Sequence, residues 1–168
     1  FLRGDNAWAA VTSAGWTAHA NNIVKIHNDA AFSTSSTSYV TNLTGNITPG
    51  TGSYVMIICQ GPETIYRKNG TGTQIFHQIE RGTALSGTEL LTNRTVWWGT
   101  TNNQNNETAN RFYMSYIDPT PGGDGSTAIT YSWIVKNTFT GTGTASSNYI
   151  NQGGKQNGRM MYLIEVKP

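Results

Sequence analysis

The sequence has little charge, a single cysteine and no long apolar run. Charged residues make up 12% of its 168 residues, about half the usual share for a soluble globular protein. Cys59 is the only cysteine, so no disulfide can form within the chain, and stability must come from packing or from assembly. The longest uninterrupted apolar run, residues 54–59, is far too short to span a bilayer. We therefore expect neither membrane insertion nor a disulfide-stabilised fold.

Signatures of nucleic-acid binding, metal binding and catalysis are also missing. The 11 Lys and Arg residues are scattered along the chain, whereas a nucleic-acid partner favours a basic stripe. His19, His27 and His77 are far apart, and a zinc site needs ligands grouped at short spacings. The acidic loop 118–125 lacks the dense oxygen ligation of a calcium loop, and no nucleophile elbow or phosphate-binding loop is present. The sequence predicts no enzyme, no cofactor and no bound metal.

Small polar residues fill the place of the missing charges. Thr, Ser and Asn number 25, 12 and 17, and 19 Gly are added to them. Thr favours strands, whereas Asn and Gly favour turns, and no segment of helical length shows an apolar 3.6 period. Strands are predicted at residues 37–43, 53–59, 64–67, 74–80, 89–98, 111–118, 128–136, 145–150 and 159–166. About eight or nine strands separated by turn signals predict an antiparallel β-sandwich of the jelly-roll type.

Two of the predicted strands are apolar on both sides. In residues 111–118 and 159–166, apolar side chains occupy consecutive positions, although a sandwich buries only one face of each sheet. The second face needs a partner, which is either the N-terminal segment folded over it or another subunit. The subunit interface is the favoured reading, with Tyr113, Ile117, Met161 and Leu163 as its predicted residues.

A polar loop follows the pair Trp97-Trp98. Residues 99–110 read GTTNNQNNETAN. Amide side chains both donate and accept hydrogen bonds, as sugar hydroxyls require, and an aromatic ring can pack against a sugar ring. Trp98, Asn102, Asn103 and Asn105 are therefore the predicted ligand-binding residues, with a merely solvated loop as the alternative.

The chain begins FLRGDNAWA, which contains the integrin-binding tripeptide Arg-Gly-Asp. This stretch resembles an FLRGDGTWA-like peptide of bacteriophage tail-fibre proteins that joins a repetitive shaft to a distal head, with Asn6-Ala7 in place of the usual Gly-Thr. Residues 36–58, 114–135 and 160–166 resemble strands of the jelly-roll head at the tips of such fibres. Because no initiator Met precedes Phe1, we expect a fragment cut from a longer protein. The predicted organisation is a linker and N-terminal segment, 1–36, followed by a head, 37–168.

The resemblance implies a homotrimeric receptor-binding tip of a virion, extracellular, that binds host cell-surface polysaccharide or another surface receptor. Arg3-Gly4-Asp5 is then a joint and not an adhesion site. Two alternatives remain. A trimeric capsid decoration protein would share the fold and bind virions, and a carbohydrate-binding module of a secreted enzyme would be a monomer with an exposed row of aromatic residues.

Overall fold

The structure, a computed structural model, describes residues 17–30, 32–67, 72–97, 106–140, 149–152 and 158–167. Within these ranges the protein consists of β-strands and has no helix, so none of the described segments is a helix that could span a membrane. The strands are β1 (Thr17–Asn28), β2 (Phe32–Thr34), β3 (Val40–Ile47), β4 (Tyr54–Arg67), β5 (Gly72–Arg81), β6 (Thr88–Trp97), β7 (Asn106–Asp118), β8 (Ile129–Thr140), β9 (Tyr149–Gln152) and β10 (Arg159–Lys167).

The strands form two antiparallel sheets. Sheet I has the order β1-β10-β4-β9-β2, with β7 paired to β4, and sheet II has the order β3-β8-β5-β6. Strand β4 is long enough to pair with β7 along its length while it contacts β10 in its first half and β9 in its second. The predicted all-β sandwich of jelly-roll type is therefore confirmed.

Strand β4 merges two segments that the sequence predicts as separate strands, 53–59 and 64–67. Pro62 lies between them and cannot donate a ladder hydrogen bond. Pro62 pairs with Arg111 of β7. On the other side of β4, the contact with β10 ends at Gln60 and the contact with β9 begins at Thr64. The proline thus lies where one of the two ladders is already interrupted.

The N-terminal segment is more regular than its composition predicts. The sequence predicts no strand within residues 1–36, but β1 pairs with β10 from Thr17 to Asn28, with a register shift between Ala18 and Ile23. That expectation is wrong for residues 17–28 and 32–34. Their strand signal is weak because the first half of β1 reads TAHANN, which is rich in Ala and Asn, residues that are depleted in strands. Residues 1–16 lie outside the described part of the chain, so their role as a joint stays a prediction.

The core lies between the two sheets and is centred on Trp133 of β8. The Trp133 side chain is fully buried, and its Nε1 donates a hydrogen bond of 3.2 Å to Nδ1 of His77. The His77 ring stacks on Phe112 of sheet I with 3.6 Å between ring centroids. Further buried residues of the core include Leu43, Ile47, Val55, Ile57, Cys59, Ile75, Ile79, Met114, Tyr131, Val135, Met161 and Leu163.

Glu165 links β10 to the turn between β3 and β4, and we expect it to make stability depend on pH. Its carboxylate accepts hydrogen bonds from Ser53 Oγ, Asn22 Nδ2 and the Gly50 N–H (2.9 Å). Burial by itself raises the pKa of Glu165, but these hydrogen bonds and the charge of Lys167 hold the pKa below its ordinary value.

A carboxyl whose pKa is lower in the folded state stabilises the fold above its unfolded pKa of about 4.3, and this contribution is lost as the pH falls. The melting temperature of the wild type should therefore fall more steeply between about pH 5 and pH 3 than that of Glu165→Gln. Thermal unfolding at a series of pH values measures both slopes, and parallel slopes would contradict the assigned role of Glu165.

Candidate functional site

The outer face of sheet I is apolar across four strands. Alternate residues of a strand point to opposite faces of the sheet, and in β10 Met161 and Leu163 point into the core. The side chains that alternate with them along the strand are only partly buried and lie on the outer face; these are Met160, Tyr162 and Ile164. The same alternation exposes Ile23 of β1 and Ile117 of β7.

The pairing of the strands places these outer residues side by side. Ile164 lies opposite both Ile23 and Met56. Met56 in turn lies opposite Ile117. One pair of residues further along the strands, Tyr162 lies opposite Ile58. In the next row Gln60 lies between Met160 on one side and Tyr113 on the other. We call this surface the apolar face; its residues are Ile23, Met56, Ile58, Tyr113, Ile117, Met160, Tyr162 and Ile164.

The apolar face is large for a surface that meets water. Ile117, Ile23 and Tyr113 are 42%, 48% and 59% exposed. Three rows across four strands, polar positions included, cover about 400 Å², from the usual spacings within and between strands. This is within the range of about 300–600 Å² for the largest patch of a typical monomer, and such a patch is often functional. Lys25 and His27 on β1 and Ser115 on β7 form polar margins.

The structure separates the four predicted interface residues into two pairs. Tyr113 and Ile117 lie on the apolar face and are exposed, as a subunit contact requires. Met161 and Leu163 are 0% exposed within the single chain, so their assignment to a subunit interface is wrong. Both sides of β10 are apolar, and the sequence therefore did not reveal which side enters the core. The homotrimer itself stays a prediction.

The predicted ligand-binding residues Trp98, Asn102, Asn103 and Asn105 lie outside the described residues. The strands that flank them are described: β6 ends at Trp97 in sheet II, and β7 begins at Asn106 in sheet I. The assignment of this segment to ligand binding stays a prediction.

A second group of residues, which the sequence analysis missed, lies on the outer face of sheet II. Phe76 of β5 pairs with Lys136 of β8 on one side and with Arg94 of β6 on the other. The Lys136 Nζ is 5.1 Å from the centroid of the Phe76 ring and 4.3 Å from that of Tyr39. We call Lys136, Phe76, Arg94 and Tyr39 the cation-aromatic row. Its sequence signal is Phe76 itself, an aromatic residue out of phase with the inward-facing Ile75, His77 and Ile79.

Within the described ranges, no three His, Cys, Asp or Glu residues are grouped closely enough to hold a metal ion. Cys59 lies in the core, and burial raises the pKa of its thiol well above the ordinary value. A buried thiol of this kind is chemically inert. The apolar face and the cation-aromatic row are the two surfaces of the described residues that we consider as candidates for function.

No family model matches this chain, and no curated protein does. Among solved structures, it is similar to a structure of infectious bursal disease virus, Gx strain, with 15% identity and a TM-score of 0.40, over 92% of this chain and 37% of the viral one. It is also similar to a T13 viral particle of the same virus, with 17% identity and a TM-score of 0.39, over 86% of this chain and 35% of the viral one. The Eiger TNF of S. frugiperda has 13% identity and a TM-score of 0.34, over 88% of both chains. This chain thus spans little more than a third of the viral chains, and at these scores the likenesses carry no argument about its function.

Proposed function

We propose that this chain is the receptor-binding head of a viral tail fibre, of the bacteriophage kind, and that it acts as a homotrimer that binds a host cell-surface glycan. The resemblance of FLRGDNAWA and of the later segments to tail-fibre proteins supports the fibre. The observation that carries the proposal is the apolar face, because it gives the head a surface for assembly. A catalytic role finds no comparable support in the described residues.

A second copy of the chain fits the apolar face best. The centre of the face offers hydrocarbon and aromatic surface, which suits neither a sugar nor a phosphate. Specific interfaces bury about 800 Å² on each partner, with an apolar centre and a polar rim. The apolar face supplies about half of that area, and Lys25, His27, Gln60 and Ser115 lie among or beside its residues as polar groups. In a homotrimer with three-fold symmetry, each subunit contacts its two neighbours through two different patches, and the rotation closes the ring.

The first test is the mass of the protein in solution. Light scattering is expected to give about three times the 18.3 kDa of the chain. Ile117→Asp should dissociate the trimer, because burying an unpaired charge costs several kcal/mol. Leu85→Asp is the matched control, since Leu85 is 53% exposed but lies on the turn between β5 and β6. A monomeric wild type at micromolar concentration would overturn the proposal.

The second test is adsorption of the isolated head to host cells. The trimer should bind cells measurably and the Ile117→Asp monomer far less, because three linked sites raise avidity by orders of magnitude over one. A trimer that binds virions and no cells would be a capsid decoration protein instead. A monomer that binds glycans would be a carbohydrate-binding module.

A further inference from the structure

We infer that the cation-aromatic row on sheet II is a binding site for an anionic saccharide, such as a chain of uronic acids. This inference rests on the proposed function and names the class of glycan and the surface that binds it. It places recognition on the face of a sheet, on residues other than those of the loop that follows Trp97.

The row combines an aromatic ring with two positive charges in fixed register. Lys136 and Arg94 flank Phe76 on neighbouring strands, so their Cα atoms are about 10 Å apart, two strand spacings. The Lys136 Nζ lies between the rings of Tyr39 and Phe76, and such cation–π contacts hold a cation in place.

Among the side chains that the structure describes, no carboxylate forms an ion pair with Lys136 or Arg94. The ion pairs found there are His27–Asp29 and Arg81–Asp118. The closest carboxylates on this face of sheet II belong to Glu80 and Glu89. Glu80 pairs with Ser132, four residues from Lys136, which places it about 13 Å along the sheet.

Both of these carboxylates also have hydrogen-bond partners already. Glu80 accepts hydrogen bonds from Gln78 Nε2 (2.9 Å) and from the Leu85 N–H (2.8 Å). Glu89 accepts one from Thr92 Oγ1 (2.8 Å). These hydrogen bonds leave both carboxylates charged, and burial together with the charges of Glu89 and Glu80 raises the pKa of Tyr39, so both carboxylates lie near one end of the row. The two positive charges of the row itself, on Lys136 and Arg94, are the groups that an anionic ligand would meet.

Polar groups for sugar hydroxyls lie in the next row of the same face. Gln74 pairs with Thr138, and both side chains are partly exposed. An amide and a hydroxyl can each donate and accept hydrogen bonds. A sugar ring packed on Phe76 would thus have its carboxylate near Lys136 or Arg94 and its hydroxyls near Gln74 and Thr138.

The row lies on the opposite side of the sandwich from the apolar face. The outer faces of the two sheets of a sandwich point in opposite directions, so a subunit that packs on the apolar face of sheet I does not cover the face of sheet II. Two cations are too few to track a nucleic-acid backbone, which favours a basic stripe. An anionic saccharide is therefore the ligand that fits the row better.

The test measures binding of the assembled head to oligogalacturonate, with maltooligosaccharide as the neutral probe. We expect binding of oligogalacturonate only, weakened by salt as charge pairing requires. Arg94→Gln should reduce its affinity about tenfold, the effect of losing one charged hydrogen bond of about 1.5 kcal/mol. Phe76→Ala should also weaken binding, whereas Lys167→Gln, which removes the same charge from an exposed position at the end of β10, should not.

Several results would overturn the inference. These are equal binding of the neutral probe, unchanged affinity in Arg94→Gln/Lys136→Gln with an unchanged melting temperature, or tighter binding of oligo(dT) than of oligogalacturonate. The outcome is separable from the proposed function. If the trimer adsorbs to cells normally after Arg94→Gln/Lys136→Gln, only the assignment of saccharide binding to the row is refuted. If the wild type is a monomer that binds oligogalacturonate through the row, only the proposal of a trimeric fibre head is refuted.

Discussion

Replacing Trp133 by alanine is expected to lower the free energy of unfolding by about 3–5 kcal/mol, a large part of the 5–15 kcal/mol that typically separates folded from unfolded domains. Trp133 is fully buried, and its ring centroid lies 5.6 Å from that of Phe112 of the opposite sheet. Truncation leaves a cavity between the sheets and removes the donor to His77 Nδ1. Chemical denaturation at a fixed protein concentration measures the loss, since assembly makes stability depend on concentration.

Two variants bracket this prediction. Trp133→Phe keeps an aromatic ring but loses the hydrogen bond to His77, so its destabilisation should be smaller than that of Trp133→Ala. Tyr113→Ala removes an aromatic ring that is 59% exposed and should change the unfolding of a dissociated chain little. Equal losses for Trp133→Ala and Tyr113→Ala would mean that the core is not centred where the structure places it.

The strands were predictable where turn signals and alternation agreed. The predicted segments 74–80, 111–118 and 159–166 lie within β5, β7 and β10. Prediction failed where local signals opposed the tertiary structure. Pro62, a residue that is disfavoured inside a sheet, lies within β4, and the Ala- and Asn-rich start of β1 gave no sign of a strand that is specified by its pairing with β10. In both cases the deciding interaction comes from a strand distant in sequence.

The candidate surfaces were predictable only in part, for a related reason. Two-sided apolar strands indicated correctly that sheet I has a second apolar face, and Tyr113 and Ile117 lie on it. The phase of β10 is set by its register with β1 and β4, which sequence alternation alone does not give when both phases are apolar. The cation-aromatic row was missed because Lys136, Phe76 and Arg94 lie on three different strands, and only strand pairing brings them together.

Asp118→Ala is expected to be the second strongly destabilising change. The Asp118 side chain is 1% exposed, and its carboxylate joins sheet I to sheet II. It accepts hydrogen bonds from Arg81 Nη1 (3.0 and 3.1 Å), Tyr131 Oη (2.8 Å) and the Thr120 N–H (3.1 Å). Burial and Asp118 together raise the pKa of the Tyr131 phenol, which therefore stays a neutral donor.

Removing the carboxylate of Asp118 leaves the buried Tyr131 hydroxyl without its acceptor and Arg81 without its counter-ion. Breaking a buried ion pair from one side costs about 3–5 kcal/mol. Water reaches the Arg81 side chain, which is 27% exposed, so we expect a loss of about 3 kcal/mol, at the lower end of that range. Asp118→Asn, which keeps an acceptor for Tyr131, should lose less.

Asp124 provides the matched control, because it has a comparable number of hydrogen bonds but no burial. Its carboxylate accepts from the backbone and hydroxyl groups of Ser126 and Thr127 in the same loop, and these hydrogen bonds hold its pKa below the ordinary value. Water replaces such partners readily at an exposed site, so the denaturation midpoint of Asp124→Ala should move by only a small fraction of the shift in Asp118→Ala. If the two shifts are equal, the number of hydrogen bonds and not the burial of the Asp118 carboxylate determines its contribution, and the link between the sheets through Arg81 and Tyr131 is not what stabilises the sandwich.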